Sequence, residues 1–132
     1  MPKGTVPERY LDILASTALG HLATIGPHGG PQVNPVWFLS DGRFVYLSVK
    51  PETAKYRNLR RNPSVAMSVG DLVRPNRYVE VRGEVVAFEL FETLVWVNQL
   101  ARKYTSADFT GGTDGEPRYK VVIRIDAWTG QG

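Results

Sequence analysis

The chain contains no cysteine, which removes disulfides, thiolate nucleophiles and Cys-ligated zinc or iron–sulfur centres. Histidine is nearly as scarce. Only His21 and His28 are available for metal or acid–base work, and no His-Glu-His spacing ties them to carboxylates. His21 alternates with Leu19, Ala23 and Ile25 in a strand pattern and reads as packed structure, whereas His28 lies among Pro27, Gly29 and Gly30 and reads as an exposed turn residue. No metal site is expected. There is no apolar run long enough to span a bilayer and no charged-then-apolar leader pattern, so the expectation is a soluble, cytoplasmic protein with no membrane partner. Also missing are a Gly-x-Gly-x-x-Gly turn after a strand and a Gly-Lys-Ser/Thr phosphate loop. Rossmann and P-loop chemistry are disfavoured accordingly.

At 132 residues the chain can bury roughly two-thirds of its unfolded surface as one domain but has no room for a separate catalytic domain. A single domain over residues 1–132 with one site is expected. What is present is mainly β-pattern with helices inserted. Residues 7–17 carry Tyr10, Leu11, Ile13 and Leu14 at helical spacing. Strand patterns follow at 19–25, 32–39, 44–49, 64–69, 77–88 and 119–128, with a hairpin signal at Asp41-Gly42 and a turn over 26–30. Gly83, inside the long fifth strand, marks a bulge where that strand bends. A second amphipathic helix is expected over 91–104, and 106–117, rich in glycine, reads as a mobile loop. The connections are too short for parallel crossovers, so six strands point to an antiparallel barrel.

The stretch from Lys50 to Pro63 places five cations, Lys50, Lys55, Arg57, Arg60 and Arg61, within fourteen residues. Thr53 can cap it and Pro63 closes it, so Ala54–Arg61 reads as a helix directly after a strand. Lys55, Asn58 and Leu59 stand at i, i+3 and i+4, which puts a lysine on the face of a core leucine. A lysine facing inward needs an anion. Arg57, Arg60 and Arg61 lie on another face, where they either extend the positive surface toward a longer anionic ligand or are simply solvated. The net charge of +3 suits a phosphate-bearing cofactor and nucleic acid alike. The strand aromatics Trp37, Phe38, Phe44 and Tyr46 have only Arg43 as a cation on their strands, however, which disfavours the nucleic-acid barrels that stack bases on basic strands.

In order along the chain stand Gly20-His-Leu-Ala-Thr-Ile25, Gly30-Pro-Gln-Val-Asn-Pro-Val-Trp-Phe38, Ala54-Lys-Tyr-Arg-Asn-Leu-Arg-Arg-Asn-Pro63, Val81-Arg-Gly-Glu84 and Trp128-Thr-Gly130. On these residues the chain resembles the split β-barrel flavin-binding proteins related to pyridoxamine 5′-phosphate oxidase. Within them it is most similar to the small actinobacterial branch that uses the deazaflavin coenzyme F420. The pattern Lys-x-x-Asn-Leu-x-x-Asn-Pro marks the superfamily more firmly than the cofactor. One departure is His21, at a position where the family usually has an aliphatic residue.

The resemblance implies a six-stranded antiparallel split β-barrel that forms a homodimer, with two cofactor sites between subunits. Carried over by position, Lys55 would bind the cofactor phosphate with Ser48 and Lys50 in support. Gln32, Asn34, Pro35 and Val36 would line the ring. Arg57, Arg60 or Arg61 would meet the distal anionic tail. Trp37 would be a ring wall or plain core, and Tyr46 and Tyr78 would pack or contact substrate. The implied activity is F420-dependent reduction of a small conjugated acceptor such as an enone or quinone, with no catalytic residue of the protein's own. FMN is the alternative cofactor, in a pyridoxamine 5′-phosphate oxidase-related protein or a flavin reductase. A non-catalytic cofactor carrier is the other alternative.

Overall fold

The structure is a computed structural model that describes residues 2–109 and 117–132. A 3₁₀ turn, Glu8–Tyr10, leads into α1 (Leu11–Ala15), then β1 (Gly20–Ile25), β2 (Pro31–Val36), β3 (Leu39–Ser40), β4 (Phe44–Val49), α2 (Ala54–Arg61), β5 (Ser64–Gly70), β6 (Tyr78–Phe91), α3 (Val95–Thr105) and β7 (Arg118–Gln131). The strands form one antiparallel sheet in the order β2-β1-β5-β6-β7-β4-β3. Its inner surface comes from strict alternation. Val45, Leu47 and Val49 of β4, Val65, Met67 and Val69 of β5, and Val121, Ile123 and Ile125 of β7 are all buried in one cluster with Leu22, Phe38 and Leu59.

β2 and β3 occupy the two opposite edges of the sheet, yet only Trp37 and Phe38 separate Val36 from Leu39. Three Cα steps reach at most roughly 11 Å, so the sheet has to curl until its edges nearly meet. The bend is concentrated in β6, whose register against β7 shifts at Arg82/Gly83 and again at Val85/Ala87. Gly83 is the requirement here, because a Cβ at that position would fall on the carbonyl oxygen of Arg124.

The described residues form seven strands where six were expected, because the run 32–39 breaks at Trp37 and Phe38 and the two-residue β3 crosses to the other edge. α3 starts four residues later than its apolar spacing suggested. Phe91 stays in β6, opposite Arg118, and tertiary pairing overrides local periodicity. Residues 110–116 of the expected 106–117 loop lie outside the described residues. His21 is corrected: it is exposed, not packed, and faces outward between Pro35 of β2 and Ser68 of β5. The inward set of β1 is Gly20, Leu22 and Thr24. That parity is hidden in the sequence because Thr24 is polar. Its burial is permitted by a hydrogen bond from the Asn58 amide, 3.2 Å away.

Arg77, in the turn between β5 and β6, fastens the opening helix to the sheet. Its guanidinium donates to both carboxylate oxygens of Asp12 at 2.8 Å, to Asp71 at 2.8 Å and to the carbonyl of Arg9. The backbone N–H of Arg74, then Arg77, then the N–H of Val73 hold the Asp71 carboxyl down at about 2. A depressed carboxyl favours the folded state above the unfolded value of about 3.9, and the benefit is lost as pH falls through about 2. Acid titration of folding should therefore show Asp71→Asn less stable than the parent at neutrality but with a shallower decline between about pH 4 and 2. Parallel curves for the two proteins would remove Asp71 from the acid response.

Candidate functional site

α2 forms where Thr53 caps it: the threonine Oγ1 accepts from the N–H of Tyr56 at 3.2 Å. This fixes Lys55 in the first turn, half-buried beside β4, where burial lowers its ammonium below the ordinary lysine value. On β4, Ser48 belongs to the outward set that alternates with Leu47 and Val49. Its Oγ is nevertheless buried and has no hydrogen-bond partner among the described residues. Arg118, the first residue of β7, is 8% exposed, with its guanidinium carbon 4.9 Å from the ring centre of Phe109.

These three polar groups open on one cavity of about 210 Å³. Its walls are apolar: Pro35, Val36 and Trp37 at the end of β2, and Val97 and Leu100 of α3. Two cations and an unpartnered hydroxyl on such walls suit a phosphate or carboxylate, since charge-assisted hydrogen bonds strengthen where water is excluded. The volume is below the roughly 300–1,000 Å³ usual for whole small-molecule sites. It matches the anionic end of a ligand whose remainder extends beyond it.

α3 is secured over this face by its last turn. Lys103 Nζ donates to the carbonyls of Leu14 and Phe38, each at 2.9 Å, and burial draws its pKa to about 8. The Tyr104 hydroxyl accepts from the N–H of Phe38 at 3.2 Å, and its ring stacks on Trp37 with centroids 5.3 Å apart and planes 5° from parallel. Trp37 is thus both a wall of the cavity and half of a packed pair.

Of the residues singled out in the sequence, Lys55, Ser48, Pro35, Val36 and Trp37 come together at the cavity. Gln32 meets α2 at buried Asn58, from whose amide its Oε1 accepts at 2.9 Å, and Asn34 shares its face of β2. Lys50 follows the end of β4. Arg57 donates to the carbonyl of Glu52 at 2.9 Å and Arg61 to the Asn58 side chain at 3.3 Å, one turn apart on exposed surface. Arg60 is laid over the Phe88 ring, 3.8 Å from its centre, and donates to the Tyr56 hydroxyl. Tyr46, two positions before Ser48, borders a different, larger hollow. Tyr78 begins β6 opposite Gln131, at the far end of β7 from Arg118.

Sequence reasoning missed Arg118, Phe109, the α3 wall and the bridging role of Asn58. Arg118 directly precedes an alternating strand after a glycine-rich stretch, a faint signal for a cation at a strand mouth. Nothing local announces that α3 lies against β4. Among the described residues, no cluster of three or more His, Asp or Glu could hold a metal, and no helix is long and apolar enough to cross a membrane.

Residues 6–131 match the family described as pyridoxamine 5′-phosphate oxidase. Among solved structures, an F420 reductase is 39% identical over 94% of this chain and 98% of its own, with a TM-score of 0.87. A conserved hypothetical protein from Mycobacterium tuberculosis is 26% identical, covering 95% of this chain and 84% of its own, with a TM-score of 0.70. General stress protein 26 from Bacillus anthracis shares the fold at 18% identity and a TM-score of 0.68, over 93% of this chain and 91% of its own.

Proposed function

Because the chain belongs to the pyridoxamine 5′-phosphate oxidase family, we propose that it is an oxidoreductase that binds coenzyme F420 and reduces a small conjugated acceptor, such as an enone or quinone. The observation that carries this is the pairing of half-buried Lys55 with the unpartnered Ser48 hydroxyl on apolar walls. The 39% identity to an F420 reductase supports the choice of cofactor.

Lys55 and Ser48 would hold the phosphate, with Arg118 beside them and Lys50 adding positive field. Gln32, Asn34, Pro35 and Val36 would border the ring, and Asn58 would keep the Gln32 amide in a fixed orientation. Arg57 and Arg61, on exposed surface one turn apart, would meet carboxylates of the tail. Arg60 would add charge to the same helix while staying stacked on Phe88. Val33 is 60% exposed on the unpaired β2 edge, and a second copy of the chain would cover that edge to form a homodimer with sites between subunits. When bound and reduced, F420 supplies a hydride from its central ring. The protein's part is to orient the acceptor and keep water out, and solvent supplies the proton that completes reduction.

Reduced F420 carrying deuterium on its central ring should deliver that deuterium to the β-carbon of an enone when the purified protein is added. A broad panel of enones and quinones with no turnover, while F420 still binds tightly, would leave only a carrier role. The tail assignment separates F420 from FMN, which ends at its phosphate. Arg57→Glu with Arg61→Glu should weaken F420 about tenfold while barely altering FMN. Equal losses for both, or tighter binding of FMN by the parent, would favour the FMN reading.

A further inference from the structure

Ser48 and Lys120 are directly opposite on β4 and β7, but they serve different hollows. α3 stands between the two. Its Val97 and Leu100 stripe walls the Lys55 cavity, and its Trp96, Gln99 and Lys103 stripe walls the second. That second hollow has a volume of about 470 Å³, within the range of small-molecule sites. Leu14 of α1, Leu39 of β3 and the Tyr46 ring complete its apolar surface.

Two donors at this hollow have no acceptor. Lys120 Nζ lies 4.8 Å from the Trp96 ring centre and 4.9 Å from that of Tyr46, with no carboxylate partner among the described residues. Trp96 is 2% exposed, and its Nε1 has no hydrogen-bond partner among the described residues. A buried N–H left in this state is rare and costly in folded proteins. The other charged groups are committed. Lys103 gives its protons to the carbonyls of Leu14 and Phe38 and to the Tyr104 hydroxyl, so it contributes positive field alone. The Asp41 carboxylate accepts from the N–H groups of Arg43 and Phe44 at 2.9 Å each. Glu89, opposite Lys120 on β6 and close enough to act on Tyr46, makes no ion pair with that lysine among the described residues, so Lys120 remains the cation available to a ligand.

The geometry points to a binding site for a planar organic anion, such as an aromatic or conjugated carboxylate, in the hollow between Trp96, Tyr46 and Lys120. The ligand's ring would lie against the Tyr46 ring and the Leu14 and Leu39 side chains. Its carboxylate would accept from Lys120 and the Trp96 N–H. The site stands whether or not the other cavity takes F420.

Calorimetric titration of the full chain with 2-naphthoate tests it, using 2-naphthalenemethanol as the neutral counterpart. The acid should bind saturably and at least about tenfold more tightly than the alcohol, as expected for one charge-assisted hydrogen bond. Lys120→Gln should remove that preference, and Lys120→Arg should keep it. Saturating F420 and Lys55→Ala should leave naphthoate affinity unchanged. Absence of saturable binding at millimolar naphthoate would overturn the site. So would unchanged affinity in folded Lys120→Gln, or loss of binding in Lys55→Ala, which would move the anion to the other cavity.

Discussion

Lys55→Ala should weaken F420 binding about ten- to a hundredfold, with the protein fully folded. The basis is the loss of one charged hydrogen bond to a phosphate, worth about 1.5–3 kcal/mol. The pH dependence carries a sign. Only the ammonium pairs with the anion, and burial has lowered its pKa, so affinity should fall as pH rises, earlier than an exposed lysine would permit. Stability of the cofactor-free protein runs the other way. Unfolding returns Lys55 to its ordinary pKa, so the unfolded state binds more protons between the two values. The folding penalty is therefore fully present below the lowered pKa, fades as pH rises from there, and is gone above about 10.4. The alanine variant should accordingly be no less stable than the parent without cofactor. A binding isotherm for folded Lys55→Ala that overlays the parent would end the phosphate assignment.

Gly83→Val should cost more than about 3 kcal/mol of folding stability, in the range reserved for backbone strain and overpacking. Any Cβ at 83 meets the Arg124 carbonyl, its oxygen first and its carbon at 2.8 Å, and then the Ile125 Cα at 3.3 Å, which is also backbone. Neither can rotate away. Relief would require β6 to lose its bulge, and with it the curl that brings β2 and β3 together. Gly70→Ala is the matched control, since a Cβ there meets nothing within 4 Å, and its effect should stay within about 1 kcal/mol. Urea unfolding of both variants gives the comparison. A small loss at Gly83 would mean that the bulge is not what bends the sheet.

The sequence showed most where the determinants are local. α2 runs over Ala54–Arg61 as expected because Thr53 and Pro63 bound it chemically, and Gly83 announced its bulge by interrupting an alternation of valines. It showed least where parity or distance decides. The face of β1 was misread because a buried threonine, held by an amide thirty-four residues away, resembles an outward one. The cavity's β2 and β4 residues were legible through the family resemblance. Arg118 and the α3 wall were not, because they reach the site only through the pairing of β7 with β4 and the docking of α3. Arg60 shows a different limit: in sequence it is one of three similar arginines, and only the arrangement of Tyr56, Phe88 and Tyr119 sets it apart.

The seam at Trp37 and Phe38 makes closure of this sheet a covalent matter. Among the described residues no ladder of hydrogen bonds joins β2 to β3, so what keeps the two edges in register is two residues of chain. At Phe38 the backbone polar groups of that link are served by side chains, its N–H donating to the Tyr104 hydroxyl and its carbonyl accepting from Lys103. A single backbone cut between residues 37 and 38 would leave every strand–strand pairing formally intact, yet it would free both rims of the sheet at once. A nicked or circularly permuted chain opened at this point would hold together only as long as α3 keeps its grip. The helix that walls the site would then be the latch of the whole barrel.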